Sequence, residues 1–260
     1  MCILLIAIDS MPGWPLVLLG NRDEFHSRPS APVQPWPGRA DCIGGLDLLA
    51  GGSWLAQRND GRFAAVTNLR SGLPAQAPKS RGMLVRDFVE GDEDPESFAR
   101  RLLGQIDDYG PFNLAFGEPG AVWVVDGSRR SLQRLRPGVH VVSNGPMDNH
   151  WPKVERLRRQ FLRSVGAGWR DEMTLLALLA DTDQPEDADL PQTGVGIERE
   201  RLLAPIFIRG EHYGTRASSL ILHHEDGTLF FRERSHAADG IVADDVAWEC
   251  PESTREWRLA

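Results

Sequence analysis

Two stretches near the start of the chain hold the residue types from which a covalent site is built. Cys2 opens an apolar run that lasts to Ile8, and a second apolar run, residues 15–20, ends in Asn21-Arg22-Asp23-Glu24. Methionine aminopeptidases remove Met1 when the next residue is small, and cysteine qualifies. Cys2 would then carry a free α-amine of pKa about 8 beside a thiol of about 8.5. One residue would hold both a nucleophile and its own general base. A neighbouring guanidinium favours the thiolate further. Arg22 is the candidate, because a short connection from Asp9 to Trp14 sets residues 2–8 and 15–22 side by side. That pairing puts positions near 2 opposite positions near 21–23, without fixing the register to one residue. Alternation along a strand gives Asn21 and Asp23 to one face and Arg22 and Glu24 to the other, so all four cannot serve one site directly. Taken alone, Cys2 reads as a strand cysteine and the tetrad as a strand-end ion pair. Their conjunction is what points to a site.

Other chemistries find little support. The chain has no GxSxG elbow, P-loop, HExxH or EF-hand loop. His223-His224 stands at a strand end, where neighbouring side chains point to opposite faces and do not easily share a metal. Cys42 and Cys250 have no polar signature around them and read as small hydrophobes. Three cysteines far apart, with no CxxC pair, speak against a disulfide framework or a cysteine zinc site. A net charge of −8 argues against a nucleic-acid partner, and the basic run Arg156-Leu157-Arg158-Arg159 reads as a solvated helix face. The apolar start is too short for a signal peptide or a membrane span, and no other segment approaches the required length. A cytoplasmic protein with a reduced Cys2 is expected.

The elements that must position these residues are short. Strands are expected at 2–8, 15–20, 52–57, 63–69, 112–117, 121–127, 138–144, 218–224, 228–234 and 256–260. Glu118-Pro119-Gly120 suits a type II turn and Asp226-Gly227 a type I′ turn. The four-proline stretch 28–38 reads as an ordered surface loop rather than a domain linker. Helices are expected after Asp94-Pro95-Glu96, which looks like an N-cap and first turn, along Trp151, Val154, Leu157, Phe161 and Val165, from 171 to 180, and around 81–89. With 260 residues, 41% of them hydrophobic, there is material for a full core, and one domain over 1–260 is expected. Tight turns between adjacent strands imply antiparallel pairing, so the class is α+β: antiparallel sheet packed on helices.

At this point the sequence resembles the NRDE family, typified by transport and Golgi organization protein 2. The resemblance rests on MCI at the start, GNRDEF at 20–25, RPS at 28–30, GGSWLA at 51–56, TN at 67–68, RG-x-LV at 81–85 and FNL at 112–114. It continues with SN at 143–144, Trp151 seven residues on, and YGTR at 213–216. That family is similar to N-terminal-nucleophile hydrolases, which implies a four-layer αββα sandwich of two antiparallel sheets. Within those hydrolases the pattern is similar to the bile-salt and acyl-amide group. Carried over, the resemblance implies Cys2 as nucleophile, Arg22 near its thiolate, and Asp23 on its α-ammonium. Asn68 and Asn144 would line an oxyanion hole, and Arg216 would add a further positive charge. Arg22 and Asp23 are adjacent here, where that group spaces them. Either a β-bulge re-aims one of them, or one alone reaches Cys2, with Glu24 replacing Asp23 if Arg22 faces the site.

Two functions follow. One is hydrolysis of a non-peptide amide or thioester by Cys2, with no cofactor required. The other, which the resemblance also implies, is a non-catalytic heme- or lipid-handling protein using the same cleft. His26 and Cys2 are then the nearest axial ligands, and any heme is transient, since no CxxCH motif exists. The expected partner in either case is a small-molecule substrate or ligand, with self-association as a homo-oligomer left open.

Overall fold

The computed structural model describes residues 3–70, 77–147, 149–169 and 171–260. Strands β1 (Ile3–Met11) and β2 (Trp14–Phe25) open the chain as a hairpin. A meander of β3 (Ser30–Trp36), β4 (Arg39–Asp47), β5 (Leu55–Arg58) and β6 (Phe63–Asn68) follows. After helices α1 (Gly82–Glu90) and α2 (Pro95–Leu103) come β7 (Phe112–Glu118), β8 (Ala121–Asp126), β9 (Ser131–Arg134) and β10 (Gly138–Val142). Helices α3 (Pro152–Gly166), α4 (Glu172–Ala177) and α5 (Ile197–Leu202) then lead into β11 (Tyr213–His223), β12 (Leu229–His236), β13 (Val242–Cys250) and β14 (Arg258–Leu259).

These strands form two seven-stranded sheets, ordered β10-β1-β2-β11-β12-β13-β14 and β3-β4-β5-β6-β7-β8-β9. Neighbours in both run antiparallel. Three apolar clusters fix the layering. Leu4, Ile6, Leu18, Phe63 and Phe231 fill the space between the sheets. Phe88 and Phe98 of the first two helices pack on Phe116 of the second sheet, with Phe88 4.9 Å from both other rings. Ile3, Leu5, Val17 and Leu19 of the first sheet meet Leu157, Phe161 and Leu175 of α3 and α4. The order is helix, sheet, sheet, helix, the αββα sandwich expected. The unbroken run Ile3–Ala7 has its reason here: both faces of β1 are covered, so both alternating sets of side chains must be apolar.

Asp94 caps α2, accepting from the N–H of Glu96 and of Ser97, with Pro95 in the first helical position as expected. Asp171 caps α4 in the same way through Thr174. The stretch 28–38 is not the loop expected: it holds β3. This is an edge strand, whose outer side needs no donors, and its pairing with β4 breaks between Ala31 and Gln34. The Asp226-Gly227 turn is also corrected. His224 N–H donates to the Thr228 carbonyl at 2.9 Å, and within that loop Gly227 alone has positive φ, +87°. That is a three-residue loop with a glycine bulge rather than a type I′ pair. Gly120, at φ +82°, fits the type II turn foreseen for β7–β8.

Candidate active site at the end of the first hairpin

The register of β1 on β2 runs from Ile8 opposite Leu16 to Ile3 opposite Asn21. Strand alternation then sorts the polar tetrad onto two faces. Asn21 continues the face of Val17 and Leu19 toward the helices. There its Nδ2 donates to the carbonyls of Leu179 and Ile206 at 2.9 and 2.8 Å, and its Oδ1 accepts from Ser218 Oγ at 2.7 Å. Ser218 Oγ also lies 2.9 Å from His236 Nε2, and burial pushes that imidazole down to about 4, so it is neutral at pH 7. Asp23 shares the Asn21 face. It accepts from Thr215 Oγ1 at 2.6 Å, and that oxygen in turn accepts from Ile208 N–H.

Arg22 turns the other way, into the gap between the sheets. Its guanidinium lies 4.2 Å from the centroid of the Trp54 ring, a cation–π stack. The residue is 5% exposed, and desolvation pulls its pKa below the ordinary arginine value. Its Nη1 is buried and has no hydrogen-bond partner among the described residues. The bulge looked for near Arg22-Asp23 lies on the neighbouring strand. Pairing of β11 with β2 shifts between Thr215 and Ala217, which leaves Arg216 as the extra residue. β2 stays regular, and Arg22 and Asp23 keep opposite faces. Glu24 Oε1 accepts from the Phe25 N–H and lies 3.8 Å from Arg28. Arg216 Nη1 donates to the carbonyls of Phe25, His26 and Arg28 at 3.0 to 3.2 Å, pinning the bend after β2. His26 sits on that bend with Nε2 2.9 Å from the Gly210 carbonyl.

A cavity of about 110 Å³ opens at this end of the sandwich, lined by Arg22, Asp23, Trp54 and Asn68 together with Arg81 and Gly82. Asn68 ends β6, and its side-chain amide makes no hydrogen bond among the described residues. Asn144 follows β10 and is tied to Asn68 through the backbone: its Nδ2 donates to the Asn68 carbonyl at 2.8 Å, while its Oδ1 accepts from Lys153 Nζ at 3.3 Å. It lines a neighbouring cavity of about 370 Å³ with Trp151 and Phe112. Of the residues singled out in the sequence, Arg22, Asp23 and Asn68 therefore share one cavity. Asn144 adjoins it, and Arg216 and His26 stand on the bend beside it. Cys2 lies outside the described residues. A larger cavity, about 900 Å³, lies at the opposite, turn end of the hairpin around Ile8, Leu16 and His223. It shares no residue with the cavity at Arg22, and size alone does not make it the reactive centre.

Several positioning residues escaped the sequence reading. Thr67 Oγ1 and Asn113 Nδ2 donate to the Ser143 carbonyl at 2.9 and 3.2 Å, and Asn113 also to that of Gly145 at 2.9 Å. Together they clamp Asn144 from both sides. A Cβ on Gly45 would stand 2.1 Å from the Trp54 ring, so glycine there gives the indole its place under Arg22. Gly52 and Gly82 meet backbone to backbone, 2.4 Å from a Cβ built on Gly52 to the Gly82 carbonyl carbon, which seats the start of α1 on the cavity rim. Glu233 is 1% exposed between the sheets. It accepts from Val33 N–H and from Ser219 Oγ, both at 3.0 Å. Burial pushes its carboxyl up to about 7, against the pull of those two bonds and of the Arg22 charge. The one signal for it in the sequence is alternation, since Glu233 falls on the same face as Phe231. The thiols of Cys42 and Cys250 are pushed up by burial to about 12 and 11, as befits packing residues.

Two antiparallel sheets between helical layers form the αββα sandwich, with the buried Arg22 and the Asn68 amide at the cavity near the start of the first strand. A crystal structure of a mutant conjugated bile acid hydrolase from Clostridium perfringens shares this fold. It matches with a TM-score of 0.50 over 100% of this chain and 96% of that one, at 9% identity. Residues 1–238 match the family described as Transport and Golgi organisation 2, and the chain belongs to it. The bovine Transport and Golgi organization protein 2 homolog is 31% identical, covering 100% of this chain and 99% of its own. The human homolog is 32% identical, over 90% and 93%.

Proposed function

We propose that this protein hydrolyses a non-peptide amide or thioester with Cys2 as nucleophile, once Met1 has been removed. The α-amine of Cys2 takes the thiol proton, and the thiolate attacks the substrate carbonyl. The oxyanion that forms is met by the Asn68 amide, with Asn144 beside it. The tetrahedral adduct collapses to an acyl-cysteine thioester, the α-ammonium returns its proton to the departing amine or thiol, and water then releases the acid. Arg22 favours the thiolate and Asp23 the α-ammonium.

The observation that carries this reading is the pairing of Ile3 with Asn21. Ile3, the first described residue of the chain, stands opposite the residue that immediately precedes Arg22 and Asp23. The name of the bile acid hydrolase that shares the fold supports the reaction class. The names of the family relatives, which speak of transport and Golgi organization, leave the substrate open. Among the described residues no helix is long and apolar enough to cross a membrane.

The test begins with the mass of the N-terminal peptide from protein expressed without a tag. A peptide starting at Cys2, with turnover of an acyl-amide or thioester that disappears in Cys2→Ala and in Cys2→Ser, is expected. Met1 retained on most molecules sinks the mechanism. Hemin titration of wild type and His26→Ala, read at the Soret band, then tests the ligand-handling alternative.

A further inference from the structure

Three features around Arg22 go beyond its pull on the thiolate. The first is the guanidinium itself. It offers five N–H donors, is buried, and leaves Nη1 without an acceptor among the described residues. A donor buried without a partner costs far more than an ordinary bond returns, and a charged one more still. The second is α1. This nine-residue helix starts at Gly82 with no acidic residue in its first turn and no side-chain cap, and Ser80, Arg81 and Gly82 line the same cavity as Arg22. Met83 N–H and Leu84 N–H are spent on the carbonyls of Ser80 and Arg81 at 3.0 and 3.1 Å, so what the helix end brings to the space beside the guanidinium is the positive end of its dipole. The third is the state of the acids nearby. Asp47 is bound by Arg28 at 2.7 Å and by the N–H groups of Leu49 and Ala50. Glu24 accepts from Phe25 N–H and Asp23 from Thr215. Arg81 donates to the Pro111 carbonyl. These bonds leave Arg22 Nη1 as the buried donor at this rim without a hydrogen-bond partner among the described residues.

We propose that the cavity between Arg22 and the N-terminus of α1 is a subsite for an oxyanion carried by the ligand, a carboxylate or a phosphate. At about 110 Å³ it has room for three or four waters at roughly 30 Å³ each, enough for one such group. The Gly52–Gly82 contact has its purpose here, since it brings α1 close enough for its first turn to reach that group. The subsite stands whether or not Cys2 reacts. Where Cys2 does react, the substrate carries its oxyanion next to the scissile carbonyl.

Isothermal titration of the full chain with inorganic phosphate and with butyrate, at low chloride, tests this. Wild type should show one saturable site. Arg22→Gln should weaken it at least 10-fold. Ser80→Asp places the protein's own carboxylate at the helix end, so it should weaken binding similarly while raising the melting temperature. That second variant answers the objection that Arg22→Gln merely misfolds. Tighter phosphate assigns a phosphoryl group, and tighter butyrate a carboxylate. No saturation by either anion, or affinity unchanged in either variant, overturns the proposal.

Discussion

Glu233 makes a measurable demand on the fold. Its carboxyl ionises near 7 in the folded chain against 4.5 when exposed, because burial outweighs the help of Ser219, Val33 and Arg22. The folded state therefore holds the proton more tightly, and the sign follows. Its contribution is fully present below pH 4.5, declines as the pH rises to 7, and is flat above. At about 1.4 kcal/mol per decade, the difference amounts to roughly 3 kcal/mol. Glu233→Gln isolates it. The amide matches the carboxyl in shape, its oxygen can accept from Val33 N–H, and its NH2 can donate to Ser219 Oγ. Urea unfolding at pH 5, 6, 7 and 8 should find the two proteins within about 0.5 kcal/mol at pH 5, within the range of a neutral swap. The variant should then draw ahead by up to about 3 kcal/mol at pH 8. A difference that stays flat across this range, or that favours wild type at pH 8, would refute the reasoning.

Asn113→Ala removes both bonds that Asn113 makes to the Ser143 and Gly145 carbonyls and should cost about 2–4 kcal/mol in urea unfolding; a cost below 1 would mean that Thr67 alone holds Asn144. Gly52→Ala drives a methyl into the Gly82 backbone and should cost roughly 1–3 kcal/mol, with faster hydrogen exchange at the start of α1; unchanged exchange would show that the contact does not seat the helix. His223 is pushed down to about 4 by burial between the sheets, so its neutral ring supports the fold above pH 6.5 and that support is lost as the pH falls from 6.5 to 4. His223→Gln should flatten this acid limb by roughly 3 kcal/mol, and an acid limb of unchanged slope in the variant counts against it.

The hairpin was legible because its signals are local: apolar runs on either side of a short connection, and alternation that sorts the tetrad by face. The helix cap at Asp94 was legible for the same reason. What escaped depends on contacts distant in sequence. A proline-rich edge strand reads like a loop, since its tolerance for proline comes from having no neighbour on one side. Strand β13 opens on the exposed acidic stretch 242–245, and its apolar alternation at Val246, Trp248 and Cys250 begins only in its second half. Gly45, Gly52 and Gly82 are small because an indole or another backbone lies against them, and no spacing announces that. Family resemblance marked GGSW, RG and FNL as notable, yet only the folded chain gives them work: an indole under Arg22, a helix seated at the cavity, and a clamp on Asn144.

The tetrad itself divides labour in a way its name conceals. Asn21 fastens the connections around Leu179 and Ile206 to the sheet, so it is scaffold on the helical face, while Asp23 holds Thr215 and also lines the cavity at Arg22. Arg22 points between the sheets, and its Nη1 is buried without a hydrogen-bond partner among the described residues. Loss of function on changing Asn21 would therefore say little about chemistry, because three buried hydrogen bonds and the docking of a helical layer go with it. A stable Arg22→Gln protein that no longer works would say a great deal. The strain that a fold tolerates at one buried charge is evidence of use in proportion to how cheaply it could have been removed. At Arg22 a neutral side chain stacked on Trp54 would have removed it.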